Sequence, residues 1–296
     1  MRLDAWDAIA ACIARATGEP FSIDQAKPVG GGCINQGFHL QGGRREFFVK
    51  LNAPSSLPVF EAEAAGLEEI LASRTVRAPR PVCAGRDRAR AWLVLEHLPL
   101  SSAGPRAAAA LGERLAAMHR STRACFGWTR DNAIGSTPQI NAQLPDWSVF
   151  WGQHRLGYQL DLAARNGHAA ALEQRGAQLL ERLPQLLAGH RPPASLLHGD
   201  LWGGNMASTR AEEPVLFDPA VYYGDREADL AMTTLFGGFP REFYAAYETV
   251  WPLEAGHRER RDLYNLYHVL NHLNLFGASY LRQARHMLEQ LLARSA

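Results

Sequence analysis

His198-Gly199-Asp200-Leu201-Trp202-Gly203-Gly204-Asn205 sets an amide five positions after a carboxylate, directly behind a short apolar run. Transfer of a phosphoryl group needs a carboxylate beside the attacking hydroxyl and an oxygen ligand for Mg²⁺ close by. A D-x-x-x-x-N spacing on one loop supplies both. Taken alone, Asp200 and Asn205 could equally be turn formers in a glycine-rich loop. Asp218 removes most of that ambiguity, because it follows Val215-Leu216-Phe217 thirteen positions after Asn205, where a metal-holding aspartate is needed. Hard oxygens that leave water on Mg²⁺ suit a triphosphate. Asp200 is therefore the expected catalytic carboxylate, with Asn205 and Asp218 as the expected metal pair.

The N-terminal third holds the remaining parts of such a site in order. Lys50 ends the apolar run Phe47-Phe48-Val49, and an ammonium in that setting needs an anionic partner. Glu63 is preferred over Glu61 for that role. Gly30-Gly31-Gly32-Cys33 forms a turn one strand ahead of Lys50, where backbone N–H groups could cover phosphates. Glu96-His97-Leu98 leaves the last strand, and its backbone could bond an adenine edge. His198 and Asp229 are the expected supports of the catalytic loop, Asp229 by receiving backbone N–H groups. The implied cofactors are ATP and Mg²⁺.

These residues need a sheet followed by helices. Segments 23–51, near 81–83 and near 91–95 read as short strands with glycine turns, and a helix opens at Pro58 on the stripe Phe60, Ala64, Leu67 and Ile70. Beyond Pro99 helical periodicity dominates at 106–120, 147–166, 169–187, 225–235, 242–250 and 258–292, the last broken near Gly277. Leu196-Leu197-His198 and Val215-Leu216-Phe217 read as two strands of one small hairpin, and 134–141 as a polar loop between helices. The expected fold class is α+β, a two-lobed protein-kinase-like fold. Residues 1–98 form the expected nucleotide-binding lobe and 99–296 a helical catalytic and substrate lobe.

The charge balance, 31 Lys+Arg against 30 Asp+Glu, carries no basic footprint of a nucleic-acid binder. No stretch approaches the roughly 20 apolar residues of a membrane span, and the N-terminus lacks the apolar core of a signal peptide. The four cysteines have no zinc spacing and suit a reducing compartment. A cytoplasmic protein without nucleic-acid or membrane partners is expected.

Several separated motifs resemble the fructosamine/ketosamine-3-kinases, relatives of aminoglycoside and choline kinases. They are Gly30 to Asn35, Phe60 to Leu67, Leu115-Ala116-Ala117-Met118-His119, Asp131 to Asn141, Asp146-Trp147 with Phe150 and Arg155-Leu156, Leu197 to Trp202, and Asp218-Pro219-Ala220-Val221-Tyr222-Tyr223-Gly224. The resemblance implies ATP-dependent phosphorylation of the sugar 3-hydroxyl of ketosamines, free or protein-borne, and a link to deglycation. It places Trp202 against the sugar, and the 132–141 loop with the helix of Trp147, Trp151 and Arg155 nearby. Asp225 stands where the family commonly has histidine, so it is expected to border the substrate. Cys33 is expected to be redox-sensitive and able to link two copies on oxidation, with Cys12, Cys83 and Cys125 buried and inert. Other readings are an aminoglycoside- or choline-type kinase, which shares Asp200, Asn205 and Asp218, and a nucleotide-binding pseudokinase, which needs no catalytic base. A protein kinase is disfavoured, because only a few residues separate Asp218 from the next helix and Gly199 replaces the arginine of H-R-D.

Overall fold

The computed structural model describes residues 6–30 and 34–294; Gly31, Gly32 and Cys33 lie outside them. Five antiparallel strands, β1 (Gln25–Val29), β2 (Gln36–Gly42), β3 (Arg45–Asn52), β4 (Pro81–Arg86) and β5 (Ala91–Glu96), form one sheet in the order β1-β2-β3-β5-β4. Successive side chains of a strand point to opposite faces, and β3 shows the consequence. Phe47, Val49 and Leu51 join Trp92, Val94 and Leu40 in a core closed by Trp6, Ile9, Cys12 and Ile13 of and beside helix α1 (Asp7–Thr17). Phe48 and Lys50 are thereby turned to the other face, which α2 (Leu57–Ala72) covers with Phe60, Leu67 and Ile70. Each such fully buried side chain contributes roughly 1.5–3 kcal/mol. Glu63 shares that helical stripe and so meets the face carrying Lys50.

The helical part contains α3 (Pro105–His119), α4 (Trp147–Trp151), α5 (Tyr158–Ala163), α6 (Ala169–Leu186), α7 (Arg226–Met232), α8 (Arg241–Val250), α9 (His257–Phe276) and α10 (Leu281–Arg294). Gly277 breaks the last pair, as the pattern predicts. Wide π turns at Gly152–Gly157 and Ala164–His168 interrupt the segment expected as one helix. Among the described residues, no helix is long and apolar enough to cross a membrane.

Small sheets carry the loops. The strands are β6 (Leu100–Ser101), β7 (Thr122–Arg123), β8 (Asn132–Ile134), β9 (Thr137–Gln139), β10 (Ala194–Leu197), β11 (Met206–Thr209), β12 (Pro214–Leu216) and β13 (Tyr222–Gly224). Two expectations are corrected here. The apolar runs before His198 and Asp218 do not pair with each other: β10 lies between β13 and β7, and β12 pairs with β11. The short turn at 210–213 lets β12 fold back on its immediate predecessor, leaving β10 to the more distant β13. Residues 132–139 are a hairpin, β8 against β9, in place of a polar loop.

Candidate active site

Lys50 is buried, and its Nζ lies 2.5 Å from Glu63 Oε1 and 2.6 Å from Asp218 Oδ1. Burial works against the ammonium, but the Asp218 and Glu63 carboxylates outweigh it and hold the lysine above its usual range. Burial likewise pushes the Glu63 carboxyl up, against the pull of Lys50. Glu61 is exposed on another face of α2, where its carbonyl accepts from Arg130. Two neighbouring elements, β3 and α2, thus meet at one cation with a segment 168 residues beyond Lys50.

The catalytic loop leaves β10 and is held from behind. Asp229 of α7 accepts from His198 N at 2.7 Å and Gly199 N at 2.8 Å, and it lies 3.2 Å from His119 Nε2. Burial pulls its carboxyl up, yet the bonds from His119 and Gly199 hold it below the ordinary carboxylate range. Gly199 has φ +82°, and a Cβ there would fall 2.0 Å from Ala220 O, so glycine is required on both counts. His198 is fully buried, and burial lowers its pKa. Its Nε2 faces Phe217 O at 3.0 Å and its Nδ1 faces Asp200 N at 3.3 Å, which makes the ring neutral with its proton on Nε2. Asn205 Nδ2 donates to Asp200 O at 2.8 Å and Oδ2 at 3.2 Å. Burial, then the Asp218 charge, push the Asp200 carboxyl up to about 7 despite that bond.

Trp202 is 39% exposed and its ring lies across Gly204, where a Cβ would fall 2.2 Å from Cη2. Phe236 meets it edge-on, with centroids 6.1 Å apart. Phe236 carried no local motif that would single it out for this place; His119, Gln139 and Asn132 were visible only within a resemblance.

Four placements differ from expectation. Asp225 does not border a substrate site: it is 1% exposed and caps α7, accepting from Glu227 N at 3.0 Å and lying 2.6 Å from His190 Nε2 and 2.5 Å from Tyr264 OH. Trp147, Trp151 and Arg155 are buried in the core and line no open surface. Glu96 N–H donates to Arg80 O at 2.8 Å and its carboxylate pairs with Arg77, so neither its N–H nor its side chain is open to an adenine edge. The His97 ring is turned back on His39, stacked at 3.9 Å. Of the glycine turn, Gly30 follows β1 and is exposed with open space around it. Cys83 and Cys125 are half-buried, and Cys83 packs beside Cys12, whose thiol is lowered to about 6 there.

The donor set fits Mg²⁺. Asp218 offers an exposed carboxylate, and Asn205, by turning its amide nitrogen to Asp200, leaves its oxygen on the opposite branch. Both are hard oxygens, and Mg²⁺ is held by few of them with water completing the shell. Together with Lys50, these groups can receive phosphates while Asp200 faces an acceptor hydroxyl.

The profile of a family described as "Fructosamine kinase" matches residues 5–294. A Synechocystis protein assigned as a ketoamine kinase is 48% identical over 288 residues, 97% of each chain. The chloroplastic protein-ribulosamine 3-kinase of Arabidopsis thaliana is 43% identical over 278 residues, covering 93% of this chain and 85% of that one. A crystal structure assigned as a fructosamine-3-kinase, from Haemophilus somnus, superposes with a TM-score of 0.90 at 28% identity and 97% coverage of both chains. A choline kinase from Streptococcus pneumoniae shares the fold alone, with a TM-score of 0.67 at 14% identity over 98% of this chain and 99% of that one.

Proposed function

Because the chain belongs to the fructosamine kinase family, we propose that it is an ATP-dependent kinase that phosphorylates the sugar 3-hydroxyl of ketosamines, the adducts of amines with sugars. The observation that carries this reading is the joining of Lys50, Glu63 and Asp218 beside the loop of Asp200 and Asn205. Relatives named for ketoamines and ribulosamines supply the acceptor class. Loss of the phosphorylated sugar from the amine would make the reaction a deglycation step.

Each residue has a role set by its chemistry. Asp200 orients the sugar hydroxyl and takes its proton, which its raised pKa suits. Lys50, fixed by Glu63, meets the phosphates of ATP. Asn205 and Asp218 would hold Mg²⁺, which when bound neutralises charge on the transferring phosphates. His97 and Leu98 offer backbone to the adenine, and Trp202, backed by Phe236, packs an apolar face against the sugar. His198 and Asp229 keep the loop in place.

A panel of ketosamines on fructose, ribulose and erythrulose, assayed for phosphorylated product, tests the reading. Turnover of at least one ketosamine is expected, lost by about two to four orders of magnitude in Asp200→Asn. Turnover of choline or an aminoglycoside in place of every ketosamine would overturn the acceptor class.

A further inference from the structure

Asp218 is one of three non-glycine residues among those described with positive φ, at 56°. Left-handed backbone costs an L-residue roughly 1–2 kcal/mol, and it persists only where the surroundings over-determine it. Both flanks of Asp218 are held. Upstream, His198 Nε2 donates to Phe217 O at 3.0 Å and Phe217 N donates to Asn205 O at 3.2 Å. Downstream, Ala220 N donates to His198 O at 2.8 Å. The β8–β9 hairpin then takes the next two carbonyls: Gln139 Nε2 donates to Ala220 O at 3.0 Å and Asn132 Nδ2 to Val221 O at 2.8 Å. From the sheet side, Gly66 of α2 lies so close that a Cβ there would stand 3.2 Å from Val221 Cγ2.

The hairpin groups are themselves locked. Gln139 is 1% exposed; its Oε1 accepts from Tyr267 OH at 2.7 Å, and its Nε2 also donates to Asn132 Oδ1 at 2.8 Å. Asn141 Nδ2 donates to the same Asn132 oxygen at 2.9 Å, and Asn141 Oδ1 accepts from Arg155 Nη2 at 2.7 Å. Arg155 in turn stacks on Tyr222 at 4.0 Å. Donors and acceptors alternate through this set, so reversing one amide would set oxygen against oxygen. A buried polar network satisfied in this way rigidifies what it holds.

We propose that Gln139 and Asn132 are positioning residues for the metal-holding carboxylate: the hairpin clamps the Asp218–Val221 segment in a single conformation before nucleotide arrives. The hairpin thus does permanently what a phosphorylated activation segment does on demand in kinases that have one. Preorganisation of this kind acts on affinity by removing an ordering cost at binding. The inference rests on Asp218 being a metal ligand, as read above.

Gln139→Glu keeps the size and the oxygen facing Tyr267 but replaces both N–H donors with an acceptor opposite Ala220 O and Asn132 Oδ1. ADP binding is measured by titration calorimetry with and without MgCl₂, beside thermal denaturation of the same samples. In the native chain Mg²⁺ tightens ADP binding; absence of any tightening there would refute the metal role of Asp218 itself. In Gln139→Glu the tightening is expected to shrink about tenfold, with metal-free ADP affinity unchanged. Tyr267→Phe, a milder change that removes one bond to Gln139, is expected to shrink it two- to threefold. It serves as the test if Gln139→Glu does not fold. Equal loss of metal-free and Mg²⁺-dependent binding, or an unchanged Mg²⁺ effect in a folded variant, overturns the proposal.

Discussion

At the scale of single residues, Asp200 joins activity and stability with opposite signs. Its carboxyl is raised from 3.8 to about 7 by burial and by Asp218, so the native chain retains a proton that the unfolded chain releases near pH 4. Its contribution to stability is therefore complete below pH 4 and lost as pH rises toward 7. Asp200→Asn removes that burden. We expect the variant to lose turnover by about two to four orders of magnitude, yet to melt roughly 2–4 °C above the native chain at pH 8, with no difference near pH 4. Equal melting temperatures at pH 8 would show that Asp218 and burial do not strain the site. For native kcat/KM, an acidic limb rising toward pH 7 is expected, displaced downward by bound Mg²⁺, since a cation beside Asp218 favours the ionised carboxylate. Trp202 offers a cleaner separation, because an exposed ring can be removed without opening the core. Trp202→Ala should raise the sugar KM up to about tenfold while leaving the melting temperature in place. An unchanged sugar KM would move the sugar away from the catalytic loop.

Among the elements, the break between α4 and α5 explains a buried guanidinium. Gly157 sits where a Cβ would fall 2.6 Å from Gly152 O, so the wide turn depends on a residue without one. It carries Arg155 inward, where Nη1 donates to Ile140 O at 2.6 Å and the guanidinium lies over the Tyr222 and Phe150 rings at 4.0 and 4.7 Å. Lysine has a charge but neither the fork nor the flat face. Arg155→Lys is therefore expected to cost about 1.5–3 kcal/mol, the worth of a hydrogen bond to a charged group, read as a lowered denaturation midpoint. A midpoint within experimental error of native would show the fork to be dispensable. The β8–β9 hairpin is the element most affected, since Arg155 holds both Ile140 and Asn141.

Across the whole molecule, the five-stranded sheet has a separate apolar core on its α1 side, and its α2 side is continuous with the core of the helical part. The α1 core holds two thiols: Cys12, whose thiol is lowered to about 6 chiefly by the neighbouring Cys83, donates toward Ala84 O at 3.8 Å. Hydrogen peroxide should oxidise this pair to a disulfide within one chain, two thiols giving up two electrons and two protons to yield water. Cys33, whose position lies outside the described residues, is the proposed site of a link between two copies. Non-reducing electrophoresis with a thiol count distinguishes them. Cys33→Ala should abolish any dimer band while two thiols per chain are still lost and recovered with dithiothreitol. A dimer persisting in Cys33→Ala would place the intermolecular link on another cysteine.

Reading along the chain determined what depends on near neighbours. The five-residue spacing of Asp200 and Asn205, the aspartate at the end of an apolar run, the alternation that turns Lys50 away from Val49, and the stripe that aligns Glu63 with Phe60 and Leu67 all follow from local geometry. Only the tertiary structure decided the rest. Asp225 is a sound helix cap whether it faces solvent or core, so its sequence context could not reveal that His190 and Tyr264 cover it. β10 had two apolar candidates to pair with, and the choice of β13 over β12 depended on which one a short turn had already claimed. The 132–141 run is polar because its partners are backbone carbonyls, and Gln139 and Ala220 are 81 residues apart. A polar side chain reads the same in a sequence whether its partner is water or a buried carbonyl, and packing alone brings the two together.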